Sequence, residues 1–148
     1  MYFLGKTSRN NLGGVHPQLI YIIEQTLIDC PIDFGIPKNG GVRTEKQQYA
    51  LFADGKSKCD GYKIRSKHQM TKGLGPQYGM AFDFYAFVEG KVSWKPRHIY
   101  AVGAAIMTTA SRLKNEGKIS IKVRWGATFG DKGFLGWDSC HIEVMESD

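Results

Sequence analysis

Cysteine is scarce in this chain: Cys30, Cys59 and Cys140 are the three among 148 residues, and none forms a CxxC pair. An odd, scattered set argues against a disulfide framework and for synthesis in a reducing compartment. Long apolar runs are missing too. No stretch approaches the roughly 20 residues that span a bilayer, and Met1–Lys6 lacks a basic region followed by an apolar core, so no signal peptide is expected. Negative charge is in deficit, with 20 Lys and Arg against 14 Asp and Glu and a net charge of +6. An anionic partner is expected, whether nucleic acid, an acidic membrane surface or the wall polymers of a bacterium. The basic residues are dispersed, and no basic recognition helix stands out for nucleic acid. The HExxH signature of many zinc peptidases is also absent.

What is present reads as one globular domain over 1–148, with 42% hydrophobic and 23% charged residues. Residues 1–14 read as a loop-rich stretch. Pro17 suits a first helical position, and a helix is predicted to Asp29 with Ile20, Ile23, Leu27 and Ile28 facing the core. Ile32 to Ile36 suits a strand. Thr44 and Gln47 have capping-box spacing, which starts a helix predicted to end near Asp54-Gly55. Ala81 to Val88 reads as one strand, turned at Glu89-Gly90-Lys91 into Val92-Ser93-Trp94. The longest helix is predicted from Pro96 to just before Gly117, followed by strands at Ile119–Trp125 and Cys140–Met145. The fold class expected is α+β: a small antiparallel sheet with helices packed on it and a single zinc site at the sheet.

The chemistry centres on His68, Asp83 and His141. Two imidazoles and a carboxylate form the ligand set of a catalytic zinc with one open position. Asp138, three residues before the last of them, is a second carboxylate placed to handle a proton beside the metal. Asp83 lies between Phe82 and Phe84, where an unpaired carboxylate is costly to bury, so a metal or an arginine is expected beside it. His16 and His98 are expected to lie outside the site, each at a helix start. Alternation on the last strand places Cys140, Ile142 and Val144 on one face and His141 and Glu143 on the other. Cys140 is therefore expected to be an inert, core-facing thiol and not a ligand. Asp138 and His141 can share a site only if a turn separates them. Gly136 permits one, with the strand proper starting at Ser139 or Cys140.

Ser66-Lys67-His68, Gly79-Met80-Ala81-Phe82-Asp83 and Asp138-Ser139-Cys140-His141 together resemble the zinc D-Ala-D-Ala carboxypeptidase and L-alanyl-D-glutamate endopeptidase family. Gly41-Val42-Arg43-Thr44 with Gln47, Arg124-Trp125-Gly126 and Trp137-Asp138 add to the resemblance, which covers roughly residues 35 to 145. Phe82 to Ala86 and Gly90 to Trp94 look like its phage endolysin branch. One departure stands out: the family glycine usually follows the first histidine by three residues, whereas here Gln69 to Tyr78 intervene and must loop out.

The resemblance implies a zinc peptidoglycan peptidase that cleaves the peptide stems of bacterial walls, with L-alanyl-D-glutamate as the expected linkage. It implies zinc on His68, Asp83 and His141, Asp138 as general base, Arg43 stabilising negative charge on the substrate, and Ser66 bound to substrate. The expected partner is peptidoglycan, with no nucleic acid and no membrane insertion, acted on by a monomer. The expected location is the host cytoplasm, with access to the wall after release. The alternatives are a D,D-carboxypeptidase on D-Ala-D-Ala termini, or a basic wall- or nucleic-acid-binding domain without activity. Asp138 separates enzyme from binder, because binding needs no proton acceptor beside the metal.

Overall fold

A computed structural model describes residues 1–128 and 138–145. Gly136, expected to permit the turn between Asp138 and His141, and Trp137, part of the resemblance, lie outside them. The described elements are α1 (Lys6–Asn11), α2 (Pro17–Asp29), β1 (Asp33–Gly35), α3 (Glu45–Ala53), β2 (Ala81–Asp83), β3 (Tyr85–Val88), β4 (Lys91–Ser93), α4 (Pro96–Asn115), β5 (Val123–Trp125), a 3₁₀ turn (Gly126–Thr128) and β6 (His141–Val144). The class is α+β. No helix among the described residues is long and apolar enough to cross a membrane.

Two three-stranded antiparallel sheets, ordered β1-β3-β4 and β2-β6-β5, replace the single sheet expected. The stretch 81–88 belongs to both. Ala81, Phe82 and Asp83 pair with Glu143, Ile142 and His141. The amide of Phe84 still reaches the carbonyl of Cys140 at 2.9 Å. Beyond it the backbone pairs instead with β1 and β4. The turn between β3 and β4 has Glu89 and Gly90 both at positive φ (52° and 75°), the geometry whose twist suits a two-residue hairpin.

Phe82, Phe84, Ile142 and Trp125 project from these strands into one core with α2 and α4. The buried stripe of α2 is Leu19, Ile22, Ile23, Thr26 and Leu27. It is rotated from the one expected, and Ile28 lies at the surface. Gly103 of α4 meets the Trp125 indole so closely that a Cβ would overlap it.

Two local expectations fail for tertiary reasons. Residues 6–11 form a short helix because Ser8 is buried and its hydroxyl accepts the Ile36 amide at 2.9 Å, an anchor outside the segment. The strand expected from Ile119 begins only at Val123, because the Gln18 side-chain oxygen takes the amides of Ser120 and Ile121 (2.8 and 3.1 Å). Those donors are satisfied without a neighbouring strand.

The segment between His68 and Gly79 doubles back as a small projection. Thr71 donates its amide to the Tyr78 carbonyl at 2.9 Å, and Met70 bridges Gly79. Tyr78 packs edge-on against His16 with ring centroids 5.1 Å apart. The tip carries Gly73, Leu74 and Gly75, with Leu74 fully exposed.

Candidate metal centre

Asp83 ends β2, His141 opens β6, and the two are directly opposed across the ladder. Cross-strand partners hold their side chains close on one face. His68 comes from the loop before the projection and is fixed by its neighbours. Its carbonyl accepts the Arg43 amide at 2.9 Å, and its own amide reaches the Ser66 hydroxyl at 3.2 Å. The segment after β1 orients both loop and strand: the Gly40 carbonyl accepts the Asp83 amide at 2.7 Å, and the Gly41 carbonyl lies 2.8 Å from His68 Nδ1.

The three side chains converge. His68 Nε2 lies 3.2 Å from Asp83 Oδ1, His141 Nδ1 lies 3.1 Å from the same oxygen, and the two ring nitrogens are 3.1 Å apart. Hydrogen bonding assigns the protons. A carbonyl can only accept, so His68 carries its proton on Nδ1. Glu143 Oε1 lies 2.8 Å from His141 Nε2, so that nitrogen donates. With both rings neutral, two nitrogen lone pairs and a carboxylate oxygen then face one another with no proton among them. A cation resolves that repulsion. Tetrahedral zinc with bonds of about 2.0–2.1 Å needs ligand atoms roughly 3.3 Å apart, close to the triangle found. The donor set therefore fits the metal expected from the sequence.

The titration behaviour without a metal is consistent with this. Burial alone would lower His141, but hydrogen bonds to Asp83 and Glu143 and the nearby negative charges raise it to about 9. Burial also works to raise Asp83, and the two histidines override it and hold the carboxyl well below its ordinary value. In the apo protein a proton does what a cation would otherwise do.

Around this triangle lies a shell of supporting groups. Arg43 engages all three guanidinium nitrogens: Nη2 on Asp83 Oδ2 (2.8 Å), Nη1 on Gln48 (3.1 Å) and Nε on the Asn39 carbonyl (2.8 Å). It leaves Oδ1 of Asp83 facing the histidines. Glu143 in turn accepts from Arg124 through Oε2 at 2.9 and 3.1 Å. Sequence reading did not assign Glu143 a role, although the alternation on β6 had already put it on the face of His141.

Asp138 stands beside the triangle in a turn spanning 138–140, and its carbonyl accepts the His141 amide at 3.1 Å. That turn resolves the facing problem and starts the strand at His141, one or two residues later than expected. Burial pushes the Asp138 carboxyl up, with the negative charge of Asp83 adding and the histidines opposing. Gly126 makes this turn possible, because a Cβ there would strike the Asp138 carbonyl.

Asp138, the three converging residues, Arg43 and Ser66 line one cleft of about 390 Å³. The rest of its lining is Leu51, residues 56–59, Arg65, Lys67, Arg124 and Glu143, and none of 69–78 contributes. Cys140 packs against the core and burial pushes its thiol up to about 11, as suits a non-ligand. His16 instead caps α2 by accepting the Gln18 amide at 3.1 Å, and His98 Nδ1 meets the Ser93 hydroxyl at 2.6 Å.

Comparison with known proteins identifies the family. The chain is 29% identical over 149 residues to the L-alanyl-D-glutamate peptidase of Escherichia phage T5, covering 95% of this chain and 96% of that one. Its fold matches the crystal structure of the Serratia marcescens L-Ala D-Glu endopeptidase ChiX with a TM-score of 0.73. That match covers 97% of this chain and 90% of the other at 24% identity. The family model described as phage L-alanyl-D-glutamate peptidase matches residues 1–145, further toward the N-terminus than the motifs alone reached. A full-length family match around a His-Asp-His triangle leaves a plain conclusion: the chain belongs to the phage L-alanyl-D-glutamate peptidases.

Proposed function

We propose that this protein is a zinc-dependent endolysin that hydrolyses the L-alanyl-D-glutamate bond of peptidoglycan stems. Residues 1–148 would act as one catalytic domain and as a monomer that reaches the wall after release from the host cytoplasm. The observation that carries the reading is the convergence of three ligand atoms 3.1–3.2 Å apart beside the half-buried Asp138 carboxylate in one cleft. His68 Nε2, Asp83 Oδ1 and His141 Nδ1 would hold the metal. Zinc so held supplies Lewis acidity and makes a water nucleophile available near neutral pH.

The chain's own groups do the rest. Asp138, with its basicity raised by burial, takes the proton of the attacking water and passes it to the departing amine of D-glutamate. Arg43, fixed on Asp83, places a positive charge on the cleft wall where the tetrahedral state gathers negative charge. Ser66 lines the same wall within reach of a bound stem. The positive net charge favours approach to an anionic wall.

The test pairs metal analysis with a wall-clearing assay. About one zinc per chain is expected from a single three-ligand site, and a chelator abolishes clearing. Asp138→Asn keeps the metal and loses about 10²–10⁴-fold in turnover, whereas His68→Ala loses both. Clearing at the full rate by Asp138→Asn overturns the assignment. Product analysis separates the bonds: cleavage as proposed exposes the amine of D-glutamate, and carboxypeptidase action releases D-alanine.

A further inference from the structure

The cleft wall has an outer face. Tyr49 and Phe52 of α3 and Tyr62 of the following loop are 49%, 41% and 60% exposed. Their rings form one cluster, with centroids 6.1 Å apart for Tyr49–Phe52 and 6.0 Å for Tyr49–Tyr62. Ile64 adds another exposed apolar side chain. Single exposed apolar residues need no explanation, but a contiguous aromatic group does.

The frame beneath Tyr62 is rigid. Asp60 Oδ1 gathers the amides of Tyr62, Lys63 and Ile64 at 3.0, 2.9 and 2.8 Å. Gly61, at φ +87°, packs on Glu45 and Gln48, and its carbonyl accepts from Gln69 at 2.9 Å. These bonds tie down the backbone that carries the exposed Tyr62 ring, which lowers the ordering cost of binding. The same stretch also builds the catalytic cleft: Leu51, Lys56 to Cys59 and Arg65 line it. Tyr49 and Phe52 thus flank the cleft-lining Leu51 on α3, and Tyr62 lies between the cleft-lining Cys59 and Arg65 along the chain.

The substrate proposed above explains why such a surface belongs there. In a wall stem, the alanine on the acyl side of the scissile bond is joined through a lactyl group to a muramic sugar. Two residue-lengths of extended chain, roughly 7 Å, separate the attacked carbonyl from that ring. A stem seated at the metal would therefore bring its sugar to about that distance from the centre, at the edge of the cleft. A pyranose offers an apolar C–H face and a rim of hydroxyls, matching exposed ring faces that carry tyrosine hydroxyls.

Resting on that reading of the site, we propose that Tyr49, Phe52 and Tyr62 form a docking platform for the glycan strand beside the scissile stem. A second aromatic pair, exposed Trp94 with half-buried Tyr85 (6.1 Å), sits at the β3–β4 hairpin, and neither residue lines the cleft. It serves as the internal control.

Two substrates and one ligand test the proposal: a sugar-bearing stem, the same stem without sugar, and peptide-free glycan strands followed by NMR chemical shifts. The double variant Tyr49→Ala/Tyr62→Ala is expected to raise KM for the sugar-bearing stem about tenfold, a loss on the scale of one or two ring contacts. It leaves cleavage of the sugar-free stem within about twofold, which also reports correct folding, and it abolishes the shifts caused by glycan. Tyr62→Phe keeps the ring and retains binding, and Trp94→Ala changes nothing. Equal losses on both stems, unaltered glycan binding, or loss through Trp94→Ala instead would overturn the platform. Failure of the unaltered zinc-loaded protein to cut either stem would sink the peptidase reading, and the glycan titration would still decide the platform separately.

Discussion

Glu143 and His141 lie two residues apart on one face of β6 and share a 2.8 Å hydrogen bond. That bond pins the ring proton on Nε2 and turns Nδ1 toward Asp83, while Arg124 holds the other carboxylate oxygen. Partners of this kind commonly govern metal affinity by 10–100-fold. Glu143→Ala is therefore expected to weaken zinc binding by about 10–100-fold, measured by competition with a chromophoric chelator. Affinity equal to that of the unaltered protein would show that Glu143 does not orient the ring.

Metal binding should be coupled to pH. In the apo protein the hydrogen bonds to Asp83 and Glu143 outweigh burial and carry His141 from 6.5 to about 9. A folded-state pKa above the unfolded one stabilises fully below pH 6.5, and that contribution fades as pH rises through 9. The Tm of chelator-treated protein should thus fall across this window, and His141→Asn should remove that part of the fall. Zinc must displace the same proton, so its affinity should rise about tenfold per pH unit over the interval. A flat affinity there would contradict the assignment of His141 Nδ1 as ligand.

Gly126→Ala probes the turn that aims Asp138. An added Cβ would overlap the Asp138 carbonyl and press on its side chain. A displacement of about 1 Å at a reacting group can cost about 10²-fold in rate. The expected result is near-normal zinc content with strongly reduced turnover. Unchanged turnover would mean that the turn adapts without moving the carboxylate.

Gly103→Ala sets two effects against each other. Alanine ordinarily improves a helix interior by about 1 kcal/mol over glycine. Here the new methyl would overlap the Trp125 indole, and overpacking typically costs about 1–3 kcal/mol. The collision should win, lowering Tm. The indole Nε1 also donates to the Ser139 carbonyl at 2.6 Å, so activity should fall with it. A raised Tm would show that the indole yields.

Local chemistry made much of this molecule readable. Thr44 and Gln47 form the reciprocal cap that their spacing announces, α2 runs over the predicted residues, and alternation correctly turned Cys140 toward the core. His68, Asp83 and His141 converge although 15 (83 − 68) and 58 (141 − 83) residues separate them. What escaped the sequence depends on distant partners. The exchange of sheets at Phe84 follows from which strands come to lie alongside, and periodicity does not encode that choice. The α1 helix exists through Ser8 and Ile36, and the strand after Ile119 is shortened by a glutamine about a hundred residues away. Arg43 as the partner of Asp83 is a contact across 40 residues.

The projection at 69–78 has a practical meaning. Its root is closed by Thr71 and Tyr78 and braced on His16, its tip contributes no residue to the cleft lining, and the two ligands it separates in sequence still meet. Extra chain length there costs only the slowly growing entropy of a longer loop. The tip is thus a natural port for grafting: a targeting peptide or a second wall-binding module could be spliced in between Lys72 and Gln77 and carried as cargo.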